Sequence, residues 1–268
     1  MFTRLAQALA IAWLGVIACK SEQASETQAP VAEKKSEDKL VVFAATSLRD
    51  AFNNMGETFR ASHPGVELTF NFAGTQELRT QLEQGAAVDV FASADQKHMG
   101  ELVKAGRASA PQLFARNEPV IVVAQEATQS IHGLADLPAA SRLVIGTAEV
   151  PIGRYTLQIL DKAAAGPLGA DFRSKVEAKV VSRELNVRQV LTKVKLGEAE
   201  AGFVYRTDAK STPELTVLTI PAELNVIAEY PIAVVHGAQH PALAKAWVDF
   251  VRSEPGKNVL QTAGFLPP

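Results

Sequence analysis

Strands alternating with helices place this chain in the α/β class. Three observations carry that prediction. Short continuous apolar runs, Leu40–Ala45 first among them, have the pattern of strands buried on both faces. A capping residue and apolar positions at helical spacing follow several of these runs within a few residues. Glycine then ends the helix, as at Gly85, Gly106 and Gly197. Alternation of this kind implies parallel βα units. With about eight strands over roughly 230 residues, two smaller lobes suit the length better than a single sheet.

The first strand, Leu40–Ala45, leads into a helix that Ser47 would cap, with Leu48, Ala51, Phe52, Met55 and Phe59 on one face. His63-Pro64-Gly65 stops it. Val66–Phe72 alternates apolar and polar residues, a strand signal. Ala73-Gly74-Thr75 turns the chain into a short helix over Glu77–Gln84. Val88–Ala92 is the third strand, and Asp95 caps the helix after it, whose apolar face holds Met99, Leu102 and Val103. Val120–Ala124 and Leu143–Gly146 are the next strand candidates. Pro151–Ala165 is helical, with proline in the first turn, where its missing N–H removes no hydrogen bond. Lys179–Ser182 is a short strand, and Asn186 caps a helix bearing Val187, Val190, Leu191 and Val194. Ala201–Tyr205, Leu215–Ile220 and Pro231–Val235 complete the strands. Helices over Pro241–Ser253 and Gly256–Ala263 end the chain.

The 268 residues carry 27 Lys plus Arg against 29 Asp plus Glu, a net charge of −2. That balance argues against nucleic acid as a partner, since such binding works by neutralising phosphates. A single Cys excludes a disulfide framework, and the five His fall in no metal-ligating spacing.

Residues 1–18 read as a secretory signal. Arg4 supplies the positive start, and Leu5–Ala18 is apolar apart from Gln7 but short for a membrane span. The stretch ends Val16-Ile17-Ala18-Cys19, which resembles a bacterial lipobox, with Cys19 as the acylated residue. Residues 19–39 then form the lipidated Cys and a flexible tether. Its Lys20–Lys39 part holds four Lys, five acidic residues and Val31 as its one large apolar side chain. Such a stretch cannot bury enough apolar surface to offset its ordering entropy.

Loops at predicted strand ends carry small polar residues and free backbone amides: Ala45-Thr46-Ser47, Ala73-Gly74-Thr75-Gln76, Val150-Pro151-Ile152-Gly153, Leu185-Asn186-Val187 and Tyr205. Ligands of open α/β sheets bind at such ends, and a helix N-terminus is a ready anion site. Any one loop alone reads as an ordinary cap, since Ser, Thr and Asn at helix starts are usually only that.

Taken in order, Val42–Leu48, Phe72–Thr75, Asp89–Asp95, Val150–Tyr155 and Gly202–Tyr205 resemble the signature blocks of periplasmic molybdate-binding proteins, the receptors of molybdate ABC importers. The resemblance runs from about Leu40 to the C-terminus. It implies a type II periplasmic-binding-protein fold, two lobes joined by two crossing strands, with the oxyanion between them. The expected lobes are 40–118 with 236–268, and 119–235. The resemblance also implies the ligand contacts: the hydroxyls and amides of Ser47 and Thr75, the amides of Ile152 and Val187, and the hydroxyl of Tyr205. Three positions depart from the family's usual pattern. The family often has Ala where Thr46 stands, Ser-Ser where Gly74-Thr75 stands, and a smaller residue than Ile152.

The chemistry agrees with this implication. Molybdate and tungstate are tetrahedral dianions that accept hydrogen bonds but donate none at neutral pH, and a site of donors alone suits them. Molybdenum would be held as molybdate, with no direct cation ligand and no cofactor. The expected partners are the ABC permease with its ATPase subunit and, through Cys19, the membrane. The expected protein is an extracytoplasmic lipoprotein and a monomer.

Arg49, Arg79, Arg154 and Arg188 lie close after the ligand positions, and would either steer anions or pair with nearby acids. Glu184 would orient the Asn186 loop or be a surface carboxylate. The alternatives are a receptor for another solute, such as sulfate, thiosulfate, a phosphonate or ferric iron, and a Ser-dependent hydrolase. Clustered tyrosines would mark the ferric case, but only Tyr205 of the three Tyr has a matching motif. The hydrolase would need an elbow around Ser47 that the sequence lacks.

Overall fold

The computed structural model describes residues 38–268. The expected signal segment, Cys19 and nearly all of the expected tether lie outside them. In chain order the first part runs β1 (Lys39–Ala45), a 3-10 turn (Thr46–Leu48), α1 (Arg49–Ser62), β2 (Glu67–Ala73), α2 (Thr75–Glu83), β3 (Val90–Ala92), α3 (Gln96–Lys104) and β4 (Gln112–Asn117). Next come β5 (Pro119–Val123), β6 (Leu143–Gly146), α4 (Pro151–Ala165), α5 (Phe172–Glu177), β7 (Val180–Glu184), α6 (Val187–Lys195), β8 (Ala201–Tyr205), α7 (Arg206–Lys210) and β9 (Thr216–Leu218). The chain closes with β10 (Ala228–Val234), α8 (Pro241–Arg252) and α9 (Glu254–Ala263).

Two five-stranded sheets result, in the orders β2-β1-β3-β10-β4 and β7-β6-β8-β5-β9. Each is the centre of one lobe of a mixed α/β fold. The chain passes from the first sheet to the second through Glu118, between β4 and β5, and returns between β9 and β10.

The sheets correct three expectations. They are not wholly parallel: β10 runs antiparallel to both β3 and β4, and β5 antiparallel to both β8 and β9. Strands that enter a sheet from the other lobe are not the product of a βα crossover, so the parallel rule does not bind them. The segment expected to end the second lobe, Pro231–Val235, instead lies largely in β10 of the first sheet. The first lobe therefore resumes before residue 236. Finally, β4, α5 and α7 had no expected counterpart. The sequence Gln112–Asn117 mixes polar and apolar residues, because β4 is an edge strand with one face partly exposed.

Packing fixes the first sheet against its helices. Trp247 of α8 meets Phe52 edge-on at 5.5 Å and Phe59 at 5.2 Å between ring centroids. Phe70 of β2 completes the cluster at 5.4 Å. These aromatic pairs contribute beyond the area they bury. They hold α1 rigidly, and with it the 3-10 turn that carries Ser47. Among the described residues, no helix is long and apolar enough to cross a membrane.

Candidate functional site

Four chain turns converge from the two lobes. The 3-10 turn after β1 and the start of α2 come from the first, and the starts of α4 and α6 from the second. First-turn amides have no carbonyl four residues back, so their N–H groups are left to point outward with the positive end of the helix dipole. Between them lies a small pocket. Ser47, Thr75, Ile152, Val187 and Tyr205, the five positions singled out in the sequence, all line it. Among the described residues, no acidic or basic side chain does.

The local chemistry of each residue differs. Ser47 does not cap α1, as the sequence suggested; no side-chain cap forms there. Its Oγ lies 2.9 Å from the Tyr230 hydroxyl instead. Thr75 is the first residue of α2, with Gly74 in the cap position. Its Oγ1 accepts the Ala94 N–H at 3.2 Å, which leaves its own proton free to donate elsewhere. Asn186 caps α6 by accepting the Gln189 N–H at 3.1 Å and so fixes the turn that presents Val187. Asp95 caps α3 in the same way, accepting the His98 N–H at 2.8 Å.

Glycines permit the close approaches. A Cβ at Gly153 would stand 2.0 Å from the Thr147 carbonyl, so only glycine lets the start of α4 press against the end of β6. A Cβ at Gly146 would meet Ile152 Cγ2 at 3.1 Å. The bulk of Ile152 is thus taken up partly in the space Gly146 leaves, while its amide remains in the first turn.

Tyr205 is almost wholly buried, yet its hydroxyl has no hydrogen-bond partner among the described residues. Burial pushes this phenol well above its ordinary pKa, so it is a neutral donor. A buried unpaired hydroxyl costs about 1–3 kcal/mol, which marks it as a group with a partner still to come. Tyr155 and Tyr230 flank it edge-on, with centroids at 6.5 and 5.9 Å. All three tyrosines of the chain therefore cluster, which the sequence did not suggest. Burial raises every one of them, and no group of metal-ligating acids or histidines occurs among the described residues.

Around the pocket the lobes are bridged. Arg154 reaches Asp95 at 2.6 Å, Arg188 reaches Asp50 at 2.5 Å, and Gln76 Nε2 donates to the Leu185 carbonyl at 2.7 Å. His98 Nε2 lies 3.0 Å from the Glu149 carbonyl. Burial lowers the His98 pKa, despite the pull of Asp95 in the other direction. Arg188 Nε also sits 2.8 Å from Asp208, and Arg79 is paired with Glu101 and Glu83. Arg49 lies over the Phe72 ring at 4.9 Å. The arginines weighed as steering groups are thus mostly committed to ion pairs. Glu184 pairs with Lys193 at 3.2 Å on its own lobe and does not hold the Asn186 loop by a side-chain bond.

Sequence reasoning missed Tyr230. It belongs to no strand-end loop, and only the return of β10 to the first sheet brings it beneath Ser47.

A two-lobed α/β chain with a neutral, donor-lined pocket between its lobes has the build of a solute receptor. It belongs to the bacterial extracellular solute-binding protein family, which matches residues 40–266. The chain is similar to the molybdate-binding protein ModA of Mycobacterium tuberculosis (strain ATCC 25618 / H37Rv), 40% identical over 269 aligned positions, covering 99% of this chain and 97% of the relative. Against ModA of Escherichia coli (strain K12) it is 32% identical, covering 85% of this chain and 89% of the relative. The solved periplasmic molybdate-binding protein of Azotobacter vinelandii shares the fold, with a TM-score of 0.73 at 18% identity over 85% of this chain and 99% of that one. The family is one of solute-binding proteins, not of enzymes.

Proposed function

We propose that this protein captures molybdate, and tungstate with it, between its lobes and delivers the ion to an ABC permease and its ATPase subunit. The observation that carries this reading is a pocket lined by donors from both lobes and, among the described residues, by no charged side chain, with the Tyr205 hydroxyl unpaired at its wall. An unprotonated dianion has acceptor oxygens in every direction. Ser47 and Thr75 offer hydroxyls and amides from one lobe, and Ile152, Val187 and Tyr205 offer theirs from the other. Charge-assisted hydrogen bonds of this kind are about twice as strong as neutral ones and replace the ion's lost hydration. Hydrogen phosphate brings a proton for which the pocket walls hold no carboxylate acceptor. Full contact needs both lobes, so the ion stabilises the closed form. The name shared by the 40% and 32% identical relatives supports the same ion.

Calorimetric titration with molybdate, tungstate, sulfate and phosphate tests the reading. Tight binding of the first two, one ion per chain, is expected. Failure to bind either overturns it. We propose further that the mature protein is a monomer outside the cytoplasm, anchored by acylated Cys19. Cys19→Ser should free it from the membrane fraction, and retention there would reject the anchor.

A further inference from the structure

Two glutamines from opposite lobes hold the backbone of Leu185, the residue between β7 and the cap of α6. Gln189, in the first turn of α6, accepts the Leu185 N–H on its Oε1 at 3.0 Å. The Gln189 N–H is itself accepted by Asn186 at 3.1 Å, so the turn before Val187 is tied at both ends. From the first lobe, Gln76 Nε2 lies 2.7 Å from the Leu185 carbonyl. A backbone N–H can only donate and a carbonyl can only accept, so both directions are fixed. The Gln76 amide passes over Gly74 to reach Leu185. A Cβ at Gly74 would stand 2.5 Å from Gln76 Nε2 and 2.4 Å from the Leu185 carbonyl, so the missing side chain makes room for the contact. Gln76 Oε1 is buried without a partner among the described residues, which leaves the Leu185 bond to hold the amide in place.

The bond joins one pocket-lining turn of each lobe. Gln76 directly follows Thr75, and Leu185 precedes Val187 by two residues. Gly74, Thr75, Asn186 and Val187 line the pocket, while Gln76 and Leu185 line a groove beside it with Thr147 and Glu149. We infer that Gln76 is a positioning residue that locks the Thr75 turn against the Val187 turn around a bound oxyanion, and so sets how fast the ion is released. The inference rests on the oxyanion reading above and adds the residue that retains the ion. The bond exists only while the lobes are together. It therefore adds nothing to capture by the open form, and it must break before the ion leaves. Gln76 carries no charge, so it does not alter the approach of a dianion.

Rates of uptake and release of labelled molybdate, the release chased with excess unlabelled molybdate, test this in a double-mutant cycle of Gln76→Met and Gln189→Met. Gln76→Met keeps the length and neutrality of the side chain and removes its donor. Release should quicken about five- to tenfold, the scale of one hydrogen bond, with uptake unchanged. Gln189→Met should also quicken release, by freeing the Leu185 turn. In that background Gln76→Met should add less than about twofold, because the two glutamines act through one residue. Unchanged release, a matching loss in uptake, or the full effect of Gln76→Met in both backgrounds overturns the inference. If Gln76→Met lowers the melting temperature of the ligand-free protein by more than about 5 °C, Gln189→Met alone carries the test, with faster release expected and unchanged release against it. Wild-type protein that retains no label would instead remove the oxyanion reading itself.

Discussion

Arg154 of the second lobe holds Nη2 2.6 Å from Oδ2 of Asp95, a carboxylate of the first lobe with no exposed surface. The other oxygen of Asp95 caps α3 through the His98 N–H. One buried carboxylate therefore secures a helix within its lobe and a contact across the cleft. Burial disfavours the charge on Arg154, but Asp95 more than offsets it and raises the guanidinium pKa. The pair is a device of closure, since parted lobes would expose Asp95 to water.

Removing the arginine should therefore act on the closed form. Stranding a buried charge costs about 3–5 kcal/mol where water cannot reach it. Arg154→Met should raise the molybdate Kd by at least about tenfold, the lower part of that range being relieved by partial opening. The melting temperature of ligand-free protein should change far less. Calorimetry and thermal unfolding read the two effects separately, and an unaltered Kd would detach this pair from closure.

Gly74 offers a second way to oppose closure. Its backbone sits at φ −60° and ψ 139°, a conformation open to any residue. A Cβ there would nonetheless stand 2.4 Å from the Leu185 carbonyl, which belongs to the other lobe. Gly74→Ala should leave the first lobe folded and keep the cleft from shutting. Small-angle scattering of the variant at saturating molybdate should give a larger radius than liganded wild type. Equal radii would show that the loop yields to the methyl group.

Tyr205→Phe should move stability and affinity in opposite directions. The hydroxyl is buried and unpaired, so its loss should stabilise the ligand-free protein or leave it unchanged. Binding should weaken by about 1.5–3 kcal/mol, the worth of a hydrogen bond to a charged group. Chemical denaturation without ligand and titration with it give the two signs. A destabilised, normally binding variant would mean that the hydroxyl serves the fold.

Asp208 makes stability depend on pH. Burial lifts its carboxyl from 3.8 to about 6, against the opposing pull of Arg188. Between these values the folded chain keeps a proton that the unfolded chain has released. The contribution of this group therefore falls as pH rises from about 4 to about 6, by roughly 2–3 kcal/mol in all. Asp208→Asn should lack that decline when urea unfolding is followed across the range. Parallel profiles for the two proteins would show an ordinary carboxylate.

Much of this protein is legible in its sequence because the deciding interactions are local. The run Leu40–Ala45, the caps Asp95 and Asn186, and the proline-led helix Pro151–Ala165 depend on neighbours a few residues away, and the structure has all of them where the pattern puts them. The strand-end turns carrying Ser47, Thr75, Ile152, Val187 and Tyr205 were visible for the same reason. What the sequence could not show is contact between residues far apart in the chain. Ser47 and Tyr230 are separated by 183 positions, Asp95 and Arg154 by 59, and Gly74 meets Leu185 only across the cleft. A serine at a helix start looks like a cap until β10 returns to the first sheet and offers it a phenol. An arginine near an anion site looks like a steering charge until a buried acid on the other lobe claims it. Local backbone chemistry set the strand-end turns; the packing of two lobes decided which side chains meet at the pocket and which charges are paired away from it.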